Sequence, residues 1–394
     1  MTLVRVRHAH CSLVYCIMQP PRIPSVAVKN KMGLDTDLIE QSTQNKITEQ
    51  GARKFLSQVE CAFAGKPFKP HTVFTNGHAQ TLAGYAWPRR FRKVPEDEER
   101  LFELAPDVKV LAHCRWLPDR QSHPTIVLWH GIEGSSSSVY MVAVADKASR
   151  AGFNVVRVNL RNCGGTEHLT PTLYHGGLSE DLRAVISELI ERDGLPRLFP
   201  IGFSLGGNLV LKLAGEYGDD PPPEVMGLCA VSPSVDLAVT ADIINQPSNW
   251  IYQQDFLRRL RRRVLTKKKL YPELYDVSEI NLVRTIRDFD DRFTAVAHGF
   301  ASADDYYDKA SSIHLIDRIR IPTLIIHAED DPFIPFAPLE HSSARANPYI
   351  LLIATENGGH VAFIAADPDH EDRFWAENRV VEFCRIANHR FGGG

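Results

Sequence analysis

In Gly202-Phe203-Ser204-Leu205-Gly206 a serine stands with a glycine two places to either side. A run of apolar residues from Leu198 stops at Phe203, and a helical pattern opens at Gly207-Asn208. The spacing predicts strand, sharp turn and helix, with Ser204 at the apex and no room for a Cβ at either glycine. A serine hydroxyl is a poor nucleophile until a base takes its proton, and the base needs a third group to orient it. Both types follow in chain order. Glu329, Asp330 and Asp331 come just after the apolar run 323–327, and Gly358-Gly359-His360 comes after the run 349–353. Of the 16 histidines, His360 alone combines that order with a glycine-framed loop. Among the acids Asp331 is preferred, because the turn into Pro332 should aim it at the histidine; Asp330 and Glu329 are the alternatives. Upstream, His130-Gly131-Ile132-Glu133-Gly134 follows the run 125–129. There the backbone N–H of Ile132, or of its neighbour Glu133, is expected to join that of Leu205 as an oxyanion donor. Each such donor is worth about 3–4 kcal/mol to a developing oxyanion.

These groups need a scaffold that brings several loops to one place. Runs at 125–129, 154–160, 198–203, 225–231, 323–327 and 349–353 are predominantly apolar, as expected of strands buried on both faces of a parallel sheet. Helical periods lie between them, at 181–190 and 208–214 for example. Strand and helix in alternation predict an α/β fold with a mostly parallel central sheet flanked by helices. Between residues 233 and 320 the strand rhythm stops. This charged, aromatic, helical stretch is expected to form a lid over the site.

Several further segments resemble the α/β-hydrolases, and among them the YheT-like branch: Asn76-Gly77-His78-Ala79-Gln80-Thr81-Leu82, Ser232-Pro233-Ser234-Val235-Asp236-Leu237, Phe289-Asp290-Asp291, and Gly299-Phe300 followed by Asp305-Tyr306-Tyr307, Ser311, Ile319, Pro322 and Asp330-Asp331. The resemblance runs over about residues 67–388. It implies a serine esterase or lipase-like hydrolase, with Ser204, Asp331 and His360 in the positions of the family's triad. Residues 1–66 match nothing in that pattern and are expected to be a poorly structured extension, with the hydrolase domain spanning 67–394. Asn162 stands where a glycine is expected; asparagine tolerates positive φ, so the turn should survive.

Composition narrows the partners. Forty-five Lys and Arg against 48 Asp and Glu leave a net charge of −3, with no global basic excess to hold nucleic acid. The basic run 258–269 is expected to be a solvated helix face, or a patch for anionic lipid headgroups. Seven cysteines form no CxxC pair, and no signal or membrane-length apolar run is readable. The expectations are a cytoplasmic protein with no metal or organic cofactor, acting on small acyl esters or lipids. An acyltransferase with the same triad and a non-catalytic scaffold are the competing readings.

Overall fold

The computed structural model describes residues 47–89, 91, 97–366 and 371–392. Along the chain, helix α1 (Glu49–Ala64) and helix α2 (Gly77–Ala86) precede a hairpin of β1 (Glu98–Ala105) and β2 (Val108–Arg115). Then β3 (Thr125–Trp129), α3 (Val139–Arg150), β4 (Asn154–Val158), α4 (Ser179–Glu191), β5 (Leu198–Phe203), α5 (Leu205–Tyr217) and β6 (Leu228–Val231) alternate. The eight strands form one sheet in the order β1-β2-β4-β3-β5-β6-β7-β8, with β7 at Thr323–Ala328 and β8 at Ile350–Thr355. β2 runs antiparallel to both its neighbours, and β3 to β8 are parallel.

Every residue of β3, β4, β5, β6 and β7 is buried, which explains their largely apolar sequences. Alternate side chains feed two cores. On one face Ile126, Leu128, Phe199, Ile201 and Ile326 pack against α1, α3 and the last helix, Trp375–Phe391. On the other Val127, Trp129, Val156 and Ile325 pack against α4 and α5.

The hairpin β1–β2 escaped the sequence reading. Its strands are amphipathic and partly exposed, with Phe102 the one buried residue of β1, so they lack the continuous apolar signature. The boundary expected at residue 66 is also corrected. Helix α1 carries Ala52, Phe55, Leu56, Val59 and Phe63 on one buried face, a helical spacing. Phe55 sits edge-on to Phe383 and Phe391, with centroids 5.3 and 5.0 Å away. The compact unit therefore includes helix α1. The rest of the expected extension, residues 1–46, lies outside the described residues.

Between β6 and β7 the chain leaves the sheet for a helical insertion: α6 (Leu237–Ile244), α7 (Trp250–Leu270), α8 (Ile286–Phe289), α9 (Ala295–His298) and α10 (Ala303–Ala310). A π-helical turn, Asp290–Thr294, joins α8 to α9. Its apolar side, including Leu257, Leu260, Phe289 and Tyr306, merges with the core above α5. Among the described residues no helix is long and apolar enough to cross a membrane.

Candidate active site

Ser204 occupies the turn between β5 and α5 at φ 54°, ψ −119°, a conformation a β-carbon makes costly. What holds it is the crowding around its glycines. A Cβ on Gly202 would lie 2.1 Å from the Gly206 carbonyl oxygen, and one on Gly206 would lie 2.5 Å from that of Trp129. The Ser204 N–H donates to the Val231 carbonyl at 2.9 Å, tying the turn to β6.

His360 and Asp331 meet: His360 Nδ1 lies 2.8 Å from Asp331 Oδ2. The other carboxylate oxygen of Asp331 accepts the N–H groups of Phe333 and Ile334, at 2.9 and 3.1 Å. Burial pushes this carboxyl up, but the adjacent His360 ring and its hydrogen bond more than reverse that, holding it below the ordinary carboxylate value. Asp330 faces elsewhere. Its Oδ1 accepts the Gly359 N–H at 2.9 Å, so it shapes the histidine loop rather than touching the ring. Glu329 is exposed.

The segment Asn76–Leu82 acquires a physical role here. Asn76 caps α2 by accepting the Ala79 N–H, and a Cβ at Gly77 would strike the Asp330 carbonyl oxygen at 1.8 Å. Thr81 Oγ1 accepts the His360 N–H at 2.8 Å and donates to the Gly77 carbonyl at 2.6 Å. The Gln80 side-chain oxygen accepts the Ile364 N–H at 2.8 Å. Helix α2 is thus the cradle of the histidine loop. Sequence reasoning had the motif but not this function, since the contacts join residues nearly 300 positions apart.

The loop after β3 lies against Ser204: a Cβ on Gly131 would be 2.9 Å from Ser204 Cβ. His130, fully buried, folds this loop. Its Nδ1 lies 2.8 Å from the Gly131 carbonyl oxygen, and its Nε2 accepts the Leu160 N–H at 3.1 Å. Those contacts require the neutral ring with its proton on Nδ1. Burial accordingly pulls the imidazole down to about 4. Glu133 adopts φ 54° and donates its N–H to Tyr174 Oη at 3.0 Å, which occupies the donor weighed as the alternative to Ile132. No acceptor among the described residues takes the N–H of Ile132 or of Leu205.

Part of the basic run proves to be internal. Arg263 forks onto Glu133, Nε to Oε1 at 2.8 Å and Nη2 to Oε2 at 3.0 Å, and its Nη1 donates to the Asn162 carbonyl. Lys267, fully buried, donates to the carbonyls of Glu167 and Thr170. The expected solvated or lipid-facing patch therefore loses two of its cations. On the helix surface Arg258 and Arg259 are paired with Asp255. Asn162 sits at φ 63°, the conformation its replacement of glycine demanded.

Ser204, His360, Ile132 and Leu205 open onto one cavity, whose remaining walls come largely from the insertion. Among the described residues no group of three or more His, Cys, Asp or Glu side chains could hold a metal ion.

A sequence profile for the alpha/beta hydrolase fold matches residues 124–367. The chain belongs to the α/β-hydrolase family. Within it, this hydrolase is 31% identical to the YheT protein of Escherichia coli (strain K12) over 340 residues, 86% of this chain and 96% of that one. It is 32% identical over 274 residues to the monoacylglycerol lipase of Saccharomyces cerevisiae (strain ATCC 204508 / S288c), covering 67% of this chain and 59% of the relative. The chain thus matches about three fifths of that enzyme's length. The solved structure of the Pyrococcus furiosus esterase Pf2001 shares the fold at 18% identity and a TM-score of 0.50, over 78% of this chain and 97% of that one.

Proposed function

We propose that this α/β-hydrolase cleaves carboxylic esters through an acyl-enzyme formed on Ser204. The observation that carries the reading is the convergence of a strained serine, a histidine hydrogen-bonded to a buried carboxylate, and two unengaged backbone N–H groups on one largely apolar cavity. His360 takes the Ser204 proton as the hydroxyl attacks the ester carbonyl. Asp331 fixes the ring with Nδ1–H toward itself, which leaves Nε2 as the base, and stabilises the imidazolium that forms. The oxyanion lies on the N–H groups of Ile132 and Leu205. His360 then protonates the leaving alcohol, and a water molecule, activated in the same way, releases the acid.

The insertion acts as a lid, shielding the cavity from water and presenting an apolar wall to the acyl group. The likeness to a protein named monoacylglycerol lipase supports lipid esters as the substrate class. Steady-state hydrolysis of p-nitrophenyl esters of graded chain length tests this. Activity should be measurable in the wild type and should fall to the solvent background in Ser204→Ala and His360→Ala. Hydrolysis that survives in both folded variants would remove the serine from the mechanism.

A further inference from the structure

The lining of the cavity that holds Ser204 includes the apolar side chains of Leu237, Ile244, Leu260, Ile286 and Phe289, yet it also includes an acidic residue, Asp290. This residue opens the π-helical turn between α8 and α9, and such turns are often found at functional sites. Its two oxygens accept one hydrogen bond each, Oδ1 from Thr294 Oγ1 at 2.6 Å and Oδ2 from Tyr307 Oη at 2.7 Å. An ionised carboxylate offers about four lone-pair positions, so roughly two stay open. Among the described residues no cation pairs with it. The nearby Arg287 is committed to Asp242 and Asp304, on the outer side of the insertion. Burial pushes the Asp290 carboxyl up to about 6, as a poorly compensated charge requires.

An acyl chain built only of methylenes would strip water from those open lone pairs and give nothing back. Leaving a buried acceptor unsatisfied is costly, and more so when it is charged. A substrate with a hydroxyl at that position meets the same wall with a charge-assisted hydrogen bond instead. An ammonium group could also donate, but it would have to surrender its hydration to walls that are largely apolar and, among the described residues, hold no second carboxylate.

We propose that Asp290 is a specificity residue that accepts a hydrogen bond from a hydroxyl group of the substrate, so that the preferred esters of this cavity are hydroxylated ones. This rests on Ser204 being the nucleophile.

The test uses two matched pairs of esters of one medium-chain acid. The glyceryl ester against the propyl ester places the hydroxyl on the alcohol. The ethyl ester of the terminally hydroxylated acid against that of the plain acid places it on the acyl group. In the wild type, kcat/KM should favour the hydroxylated member of at least one pair by about tenfold or more. Asp290→Leu should reverse this, slowing the hydroxylated ester and speeding the plain one, a crossover that mere loosening of the fold does not produce. Asp290→Asn keeps the shape and one acceptor oxygen, and should retain a preference reduced at least roughly threefold. It decides the matter if the leucine variant does not fold. Labelling of Ser204 by a fluorophosphonate, followed in all three proteins, separates the two layers of the reading. Unlabelled wild type would overturn the hydrolase assignment and this proposal together. Labelled proteins with no wild-type preference in either pair, or with the preference intact in Asp290→Leu, would overturn the role of Asp290 alone. So would a stronger preference for an amine-bearing ester.

Discussion

Arg263 offers the sharpest test of how the insertion is coupled to the site. It lies on α7, yet its guanidinium binds Glu133 in a fork, reaches the Asn162 carbonyl and lies 5.4 Å from the Tyr174 ring centroid. The side chains of Arg263 and Glu133 are 9% and 5% exposed, so solvent screens the pair weakly. Arg263→Ala removes the cation and leaves the Glu133 carboxylate buried with Tyr174 Oη as its remaining donor. Breaking a buried pair on one side costs about 3–5 kcal/mol, because the surviving charge is uncompensated. Since unfolding a chain of this size exposes much surface, the urea midpoint should fall by roughly 1 M at unchanged slope. Glu133→Gln should cost a similar amount. The double variant, with neither charge left, should be less destabilised than the sum of the singles by about 2 kcal/mol. Because Glu133 directly follows Ile132, phosphonylation of Ser204 should slow in the single variants as well. Additive midpoints, or an Arg263→Ala variant as stable as the wild type, would refute the coupling.

Two further predictions follow from the loops around the serine. Thr81→Val deletes the acceptor of the His360 N–H and strands a partly buried donor, worth about 1–3 kcal/mol; the second-order rate of fluorophosphonate labelling should drop about tenfold, and Thr81→Ser should restore most of it. His130 gives a pH signature. Its folded value, about 4, lies below the ordinary 6.5, so the unfolded chain takes up the proton first as pH falls. Its contribution is therefore complete above about pH 6.5 and is lost toward pH 4, at about 1.4 kcal/mol per pH unit. Denaturation curves of the wild type should be steeper in pH across that window than those of His130→Gln, by close to one proton; parallel curves would show that His130 is not buried neutral.

How much of this was readable beforehand follows the range of the interactions involved. The parallel strands were legible because burial on both faces makes each a local run of mostly apolar residues, and the turn at Ser204 because Gly202 answers to Gly206 only four residues on, although Gly206 itself answers to the distant Trp129 carbonyl. Helix α1 falls in the segment expected to be poorly structured, because its docking partners Phe383 and Phe391 are over 300 positions away and its place in the core was not visible. The run 258–269 misled for a different reason. Composition averages over a helix, whereas burial alternates around it, and Arg263 and Lys267 point inward while Arg258 and Arg262 face out. Among three adjacent carboxylates, the turn into Pro332 favoured Asp331, and the structure gives the rotation that separates it from Asp330: one faces the imidazole, the other the Gly359 N–H. The Asp290–Tyr307 bond was present in the sequence as two unexplained motifs, joined only when α10 packs across the π-helical turn.

The central claim is that Ser204 is an activated nucleophile. Intact-mass analysis after treatment with a fluorophosphonate tests it without any assumption about the ester. The account predicts one adduct per chain in the wild type, located on Ser204, and none in Ser204→Ala. A folded wild type that stays unlabelled, or a Ser204→Ala variant labelled as fast as the wild type, would contradict it.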